Sequence, residues 1–296
     1  MTDHAGNGTN GNGAAVTSPS FDPGVAEAKE AGLKQILAGY SSLAVAYSGG
    51  VDSAYLADVA HEVLGARCDM VLADSPSLPR SEFSDASELA HSRGWNFVVV
   101  NTQEFDNEEY LKNDGRRCYF CKSELFRRMK DYAEKKQVTN LAYGAMADDA
   151  FDPTRLGALA ATEHKIVAPL QFAKLGKAEI RYLSRARGLP TSEKASFACL
   201  SSRFPKGTRV TLEDIRKVEA AEEALRKHGF YQFRARHHGD TCRIEIDMAD
   251  MGKFGDPAVR DDVVSSIKAA GYAHVTLDLG GYKDATMVMV APVGKS

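Results

Sequence analysis

Short apolar runs alternate with longer stretches of helical hydrophobic spacing from Pro23 to about Lys194. Leu43 to Tyr47, Cys68 to Ala73, Asn96 to Val100 and Asn140 to Tyr143 read as buried strands, with Ala54 to Leu64, Ser81 to Arg93 and Lys122 to Lys136 as helices between them. This alternation predicts an α/β fold, a doubly wound parallel sheet. Ligands bind such sheets beyond the C-terminal ends of the strands. Here those ends run into small or polar pairs: Ser48-Gly49, Asp74-Ser75, Asn101-Thr102 and Gly144-Ala145.

After Phe204-Pro205-Lys206-Gly207 the pattern changes to a helix (Thr211 to His228), two strands (Gln232 to His237 and Thr241 to Ile246), a helix (Asp256 to Ala270) and a strand (His274 to Leu279). That order predicts a small α+β C-terminal domain. Thr211 followed by Asp214 resembles an N-cap with an acid in the first turn. The expected division is a disordered tail over 1–24, the parallel-sheet domain over 25–203, and a substrate or oligomerisation domain over 204–296.

Composition narrows the classes. The chain has 296 residues, 44% of them hydrophobic, enough for two cores. No apolar run approaches the length that spans a bilayer, and the start is rich in glycine and asparagine without a basic or apolar leader region, so no membrane association and a cytoplasmic location are expected. The net charge is -3 and the isoelectric point about 6.3. From Pro205 to Ser296, 14 Lys and Arg balance 14 Asp and Glu, so no nucleic-acid partner is expected. Five cysteines without a secretion signal favour reduced thiols with metal or catalytic roles over disulfides.

The sharpest local signal is Ser48-Gly49-Gly50-Val51-Asp52-Ser53, between the first strand and a helix. Adjacent glycines allow a tight turn and close approach to a ligand, and the new helix offers unpaired N–H groups and a positive dipole end to an anion. No Lys-Ser/Thr follows, so this is not a Walker A loop, and GxGxxG is absent. Asp52 suits a magnesium partner or a brace for the loop better than a direct phosphate contact.

Cys118-Tyr-Phe-Cys121 lies just before the helix predicted from Lys122, and Cys199 lies near the domain junction. Three thiols allow several chemistries: an iron-sulfur cluster with one open iron, a zinc site completed by Cys242, or separate thiols that include a persulfide or a sacrificial sulfur on Cys199. Cys68, in a predicted strand, reads as a small buried side chain. Arg234 and Arg236 alternate along a strand and so share a face. Arginine forks suit phosphate, whereas a charged face paired with nearby acids is the competing reading for Arg236 and Arg243. Asp148, Asp149 and Asp152 could bind magnesium or merely be solvated. His237 and His238 are adjacent in a strand, point to opposite faces, and do not form a joint metal pair.

Ser48, Gly49, Gly50, Asp52 and Ser53 match, position by position, the PP-loop of the ATP pyrophosphatase superfamily, a HUP-like fold. Gly144-Ala-Met-Ala-Asp148-Asp149, Asp152-Pro-Thr-Arg155-Leu-Gly157, Ala168-Pro169-Leu170, Cys199-Leu-Ser-Ser202-Arg203-Phe-Pro and Arg234-Ala-Arg236-His-His-Gly-Asp240-Thr-Cys-Arg243-Ile-Glu245 add a resemblance to the LarE family, from about residue 30 to 286. The Asp152 segment departs from that family's commoner DYRPG form.

The resemblance implies a homo-oligomeric, ATP-dependent sulfur transferase of nickel-pincer nucleotide cofactor biosynthesis, which turns a pyridinium carboxylate on a mononucleotide into a thiocarboxylate. It implies ATP, Mg2+ and a 4Fe-4S cluster as cofactors, and sulfide or another sulfur donor as a partner. Pyrophosphate is then cradled by the backbone of Gly49, Gly50, Val51, Asp52 and Ser53 and by the Ser48 and Ser53 hydroxyls, with Gly144 beside them and Ser75 meeting the adenosine. Cys118, Cys121 and Cys199 carry the cluster; Lys122, Ser202, Arg234 and Arg236 hold the substrate phosphate; Asp149 binds magnesium. A PP-loop tRNA thiolase, an ammonia-using amide synthetase and an ATP-sensing module are the alternatives.

Overall fold

The computed structural model describes residues 22–151, 156–195 and 198–283. Residues 1–21, the segment with Asp152 and Arg155, and 196–197 lie outside them. The chain enters through α1 (Pro23–Ala38), whose first turn is capped by Asp22, its carboxylate accepting from the Gly24 N–H at 2.8 Å.

The first sheet holds β1 (Leu43–Ala46), β2 (Cys68–Asp74), β3 (Asn96–Asn101) and β4 (Asn140–Tyr143), all parallel, in the order β3-β2-β1-β4. Val167 adds a parallel bridge to Ala142 on the outer side of β4. Alternation along the strands feeds two cores. Leu43, Val45, Met70 and Leu72 pack under α1, α2 (Val51–Leu64) and α8 (Lys177–Ala186), while Ala44, Val71 and Leu141 face α5 (Arg117–Lys136) and α6 (Leu156–Glu163). The sheet is thus covered on both faces, as a doubly wound fold requires. Chain order reverses at β1, with β2 on one side and β4 on the other, and a crevice opens above that junction.

After α3 (Arg80–Ser92), α4 (Glu108–Leu111) and α7 (Pro169–Phe172), the chain builds a second, mixed sheet. In it β5 (Phe233–His238) pairs antiparallel with β6 (Thr241–Ile246), and β6 parallel with β7 (His274–Leu277). α9 (Leu212–Lys227) and α10 (Pro257–Ala269) pack on this sheet. Thr211 caps α9 by accepting from the Asp214 N–H at 3.1 Å. Ala221, Leu225, Ala235, Cys242, Ile244, Val263 and Ile267 form its separate core. No helix among the described residues is long and apolar enough to cross a membrane.

Two expectations change. The CxxC motif does not precede its helix but lies within it, because α5 starts at Arg117. Arg116 is the N-cap, and the Asp114 carboxylate accepts from its N–H at 3.0 Å in the turn before the helix. Cys242 cannot complete a zinc site: it is fully buried in the second core, where burial first, and then the Glu222 charge, pushes its thiol up to about 12.

Candidate functional site

The turn after β1 takes a positive φ at Gly49 (72°), and α2 begins at Val51. A side chain at Gly49 would also meet Ala86 Cβ at 2.7 Å. Gly50 is the N-cap and brings no side chain to the first turn, so the helix end stays open toward the crevice. Ser53 Oγ stitches the loop, accepting from the Ser48 N–H at 3.1 Å and donating to the Gly50 carbonyl at 3.1 Å, with the Ser48 and Ser53 hydroxyls 3.1 Å apart. Gly144 lies against the same turn, close enough that a Cβ there would sit 3.0 Å from Ser53 N.

A cleft of about 860 Å³ opens over this turn, lined among others by Ser48, Asp52, Ser53, Lys122, Gly144 and Asp149. Lys177, at the start of α8, donates to both Asp52 oxygens at 2.9 and 2.8 Å, and its backbone N–H donates to Asp148 at 3.0 Å. The Asp149 carboxylate accepts from the Met146 N–H at 3.1 Å. Lys122 Nζ lies 5.0 Å from the Tyr143 ring centroid. Cations and acids are thus interleaved along the cleft, with Lys177 paired to Asp52. Among the described residues no three His, Cys, Asp or Glu side chains stand grouped to hold a metal ion. Asp52 and Asp149 offer the hard oxygen donors that magnesium takes, and both line this cleft, with Asp52 already holding Lys177.

The three cysteines meet elsewhere. Cys118 and Cys121 stand three residues apart on one helix face. The Cys121 thiol is raised well above the usual thiol range, by desolvation first and then by Cys199, Glu104 and Cys118, while Arg117 pulls it the other way. Tyr110 is raised by burial and then by Cys199 and Cys121, and its hydroxyl lies 2.7 Å from Ser201 Oγ. Cys199 precedes a 3-10 turn, Leu200–Arg203, anchored by the Leu200 N–H donating to the Ser77 carbonyl at 2.9 Å and by Arg117 donating to the Ser201 carbonyl. Three thiols are soft donors of the kind that iron-sulfur clusters and zinc both take, but among the described residues they do not stand grouped as a ready metal site. None of the three thiols lines the loop cleft, but Lys122, the neighbour of Cys121, does.

A second cleft of about 640 Å³ lies beside the first, between α3 and the second sheet. Ala198, Arg203, Arg226, Arg234 and Tyr282 border it, opposite Glu82, Asp85 and Glu88. Arg234 is buried, donating to the Lys283 carbonyl at 3.0 Å and to the Tyr282 hydroxyl at 3.2 Å. Arg236 binds both Glu245 oxygens at 3.0 Å and the Ser202 carbonyl at 2.9 Å, and Arg243 shares Glu245 at 2.9 Å. The Arg236 fork is thus paired with an acid of its own sheet. Ser202 Oγ accepts from Arg203 at 2.8 Å. Ser75 turns inward to Ser77 and Glu104 and borders neither cleft. His237 faces the core, stacked on Phe204 with centroids 4.7 Å apart, while His238 is exposed.

Several contributors went unread in the sequence. Lys177, Glu104, Tyr110 and Tyr282 carry no local motif. Neither does the buried ion pair of Arg203 with Glu222, at 2.6 and 3.1 Å, which ties the Cys199 segment to α9. The one available signal was Leu-Gly-Lys-Ala-Glu at 175–179, where a glycine N-cap and an acid three residues later start a helix with Lys177 at its first position.

No family model matches the chain. It is 37% identical over 257 residues to an uncharacterised protein of Synechocystis, covering 87% of this chain and 96% of that one. It is 34% identical over 261 residues to the pyridinium-3,5-bisthiocarboxylic acid mononucleotide synthase of Lactiplantibacillus plantarum, covering 88% and 93%. An uncharacterised protein of Methanocaldococcus jannaschii is 27% identical over 239 residues, 81% and 90% of the two chains.

Proposed function

The chain belongs to the LarE family, that of the pyridinium-3,5-bisthiocarboxylic acid mononucleotide synthase, and on that premise we propose that it uses ATP to put sulfur into a pyridinium carboxylate mononucleotide. The observation that carries the reading is the open helix end at Gly50, set at the switch point of the sheet in a cleft that also holds Lys122 and Lys177. A turn and two lysines suit a polyphosphate, and the absence of a Walker A lysine argues against γ-phosphate transfer.

In this reading a substrate carboxylate oxygen displaces pyrophosphate from the α-phosphorus of ATP, giving an acyl adenylate. A sulfur nucleophile then displaces AMP from the acyl carbon and leaves a thiocarboxylate. The α2 N–H groups stabilise charge gathering on the departing pyrophosphate, and Lys177 offsets the charge of Asp52 beside it. Asp52 and Asp149 would share a magnesium ion with the phosphates. Cys118, Cys121 and Cys199 would hold a 4Fe-4S cluster, which supplies an open iron able to bind sulfide. The partly exposed Cys199 lies beside Ala198 on the second cleft, through which the substrate would enter.

The test mixes anaerobically purified protein with ATP, sulfide and a pyridinium carboxylate mononucleotide. Equal amounts of AMP and pyrophosphate are expected, with a product in which sulfur replaces oxygen. ADP in place of AMP, or turnover that leaves no sulfur in the product, would sink the proposal.

A further inference from the structure

We propose that Tyr282 is the platform that recognises the pyridinium ring, selecting it by charge as well as by shape. The inference rests on the sulfur-transfer reading above. Four residues, Glu193, Ala195, Gln232 and Tyr282, border both clefts. If the nucleotide triphosphate lies over the β1 turn, the substrate must bring its carboxylate to the α-phosphorus where the two spaces join. Tyr282 is the aromatic member of that shared set.

The ring already carries a planar cation. Arg234 Cζ lies 4.6 Å from its centroid. A pyridinium is likewise planar, delocalised and positive, and binds an aromatic face by the same attraction to the ring quadrupole. Asp85 and Glu88 line the other wall and favour a cation between, while Glu82 there is paired with Lys194 at 2.6 Å. The fork of Arg234 matches the anionic groups borne by the same molecule.

The platform is fixed by its backbone. The Tyr282 N–H donates to the Ile246 carbonyl at 2.7 Å, extending the end of β6. Gly281 supplies a φ of 66°, and a Cβ there would meet Met248 Sδ at 2.7 Å and the Ile246 carbonyl at 3.1 Å. The ring therefore projects from a rigid turn rather than a loose loop.

Calorimetry on the full-length protein tests this with a pyridinium carboxylate mononucleotide and its neutral-ring benzene-carboxylate riboside phosphate analogue, which keeps the flat aromatic ring and loses its charge. The wild type should bind the charged form about tenfold more tightly than the neutral one. Tyr282→Leu should erase that preference, and Tyr282→Phe should keep most of it. Thermal unfolding of both variants checks that they fold. Equal binding of the two probes by wild type, no binding of either, or a preference that survives in Tyr282→Leu would overturn the proposal. Pyrophosphate release with the same substrate tests the sulfur-transfer reading separately: an enzyme that binds the charged ring selectively but releases none keeps the platform and loses the reaction.

Discussion

At Gly144 the space for a side chain is already taken by main chain. An added Cβ would lie 3.0 Å from Ser53 N, 3.1 Å from Ser53 Cα and 3.2 Å from the Asp52 carbonyl carbon, and none of these atoms can swing aside. Gly144→Ala should therefore pry the end of β4 from the first turn of α2. We expect pyrophosphate release to fall by about a hundredfold, at a stability cost of about 1–3 kcal/mol, measured by turnover and urea unfolding. Gly157→Ala is the contrasting case: its Cβ would meet Lys122 Cδ at 2.6 Å, an atom of a flexible side chain and not of the main chain. A Gly144→Ala enzyme with normal turnover would show that the close approach is only packing. Local sequence made this turn readable, because every group in it lies within six residues. The partner of Asp52 lies 125 residues away, and that of Ser75 lies 29 away. No spacing rule reaches them, so Lys177 went unseen and Ser75 was assigned to a ligand instead of to Glu104. Arg236 was closer to legible. Register sets it opposite Arg243, and two facing arginines call for an acid such as Glu245 on the same face.

Among the elements, the strands of the first sheet were legible because each centres on a short apolar run set between helical stretches. Helix starts were less so. α5 begins a turn before its amphipathic pattern, at Arg117, where the hydrophobic period gives no signal. The docking of the Cys199 segment on α9 was invisible for a related reason: Arg203 and Glu222 belong to different elements and both are about 4% exposed. Glu222 also accepts from the Ala235 N–H at 3.1 Å, so one carboxylate joins the 3-10 turn, α9 and β5. Removing it strands a buried guanidinium and an amide. Glu222→Ala should lose about 3–5 kcal/mol of stability, measured by urea unfolding. The double replacement Arg203→Met with Glu222→Leu should recover part of that loss. Equal losses in both variants would mean that packing volume, not the ion pair, holds the junction.

Across the whole molecule the five cysteines divide into two sets by place, and iron should separate them, whereas alkaline pH acts on the buried thiols of both, Cys121 included. Cys68 sits in the first core and Cys242 in the second, each thiol pushed from 9.0 to about 12, chiefly by burial. A raised folded pKa means that the folded chain keeps a proton the unfolded chain releases. This stabilisation is complete below about pH 9 and is lost as pH rises toward 12. Tyr47, Tyr55 and Tyr272 are raised in the same way from 10.0, so they join only above that pH. The window from pH 9 to 10 therefore belongs mainly to thiols. In metal-free protein, Cys242→Val should flatten the fall of unfolding free energy there by about 1 kcal/mol per pH unit, and Cys68→Val should do likewise. Reconstitution with iron and sulfide should divide the two sets: full iron content in both valine variants and loss of it in Cys121→Ser. Loss of iron in Cys242→Val would return Cys242 to the ligand set, against its place in the second core, and an unchanged alkaline slope would mean that its thiol is not held neutral by burial.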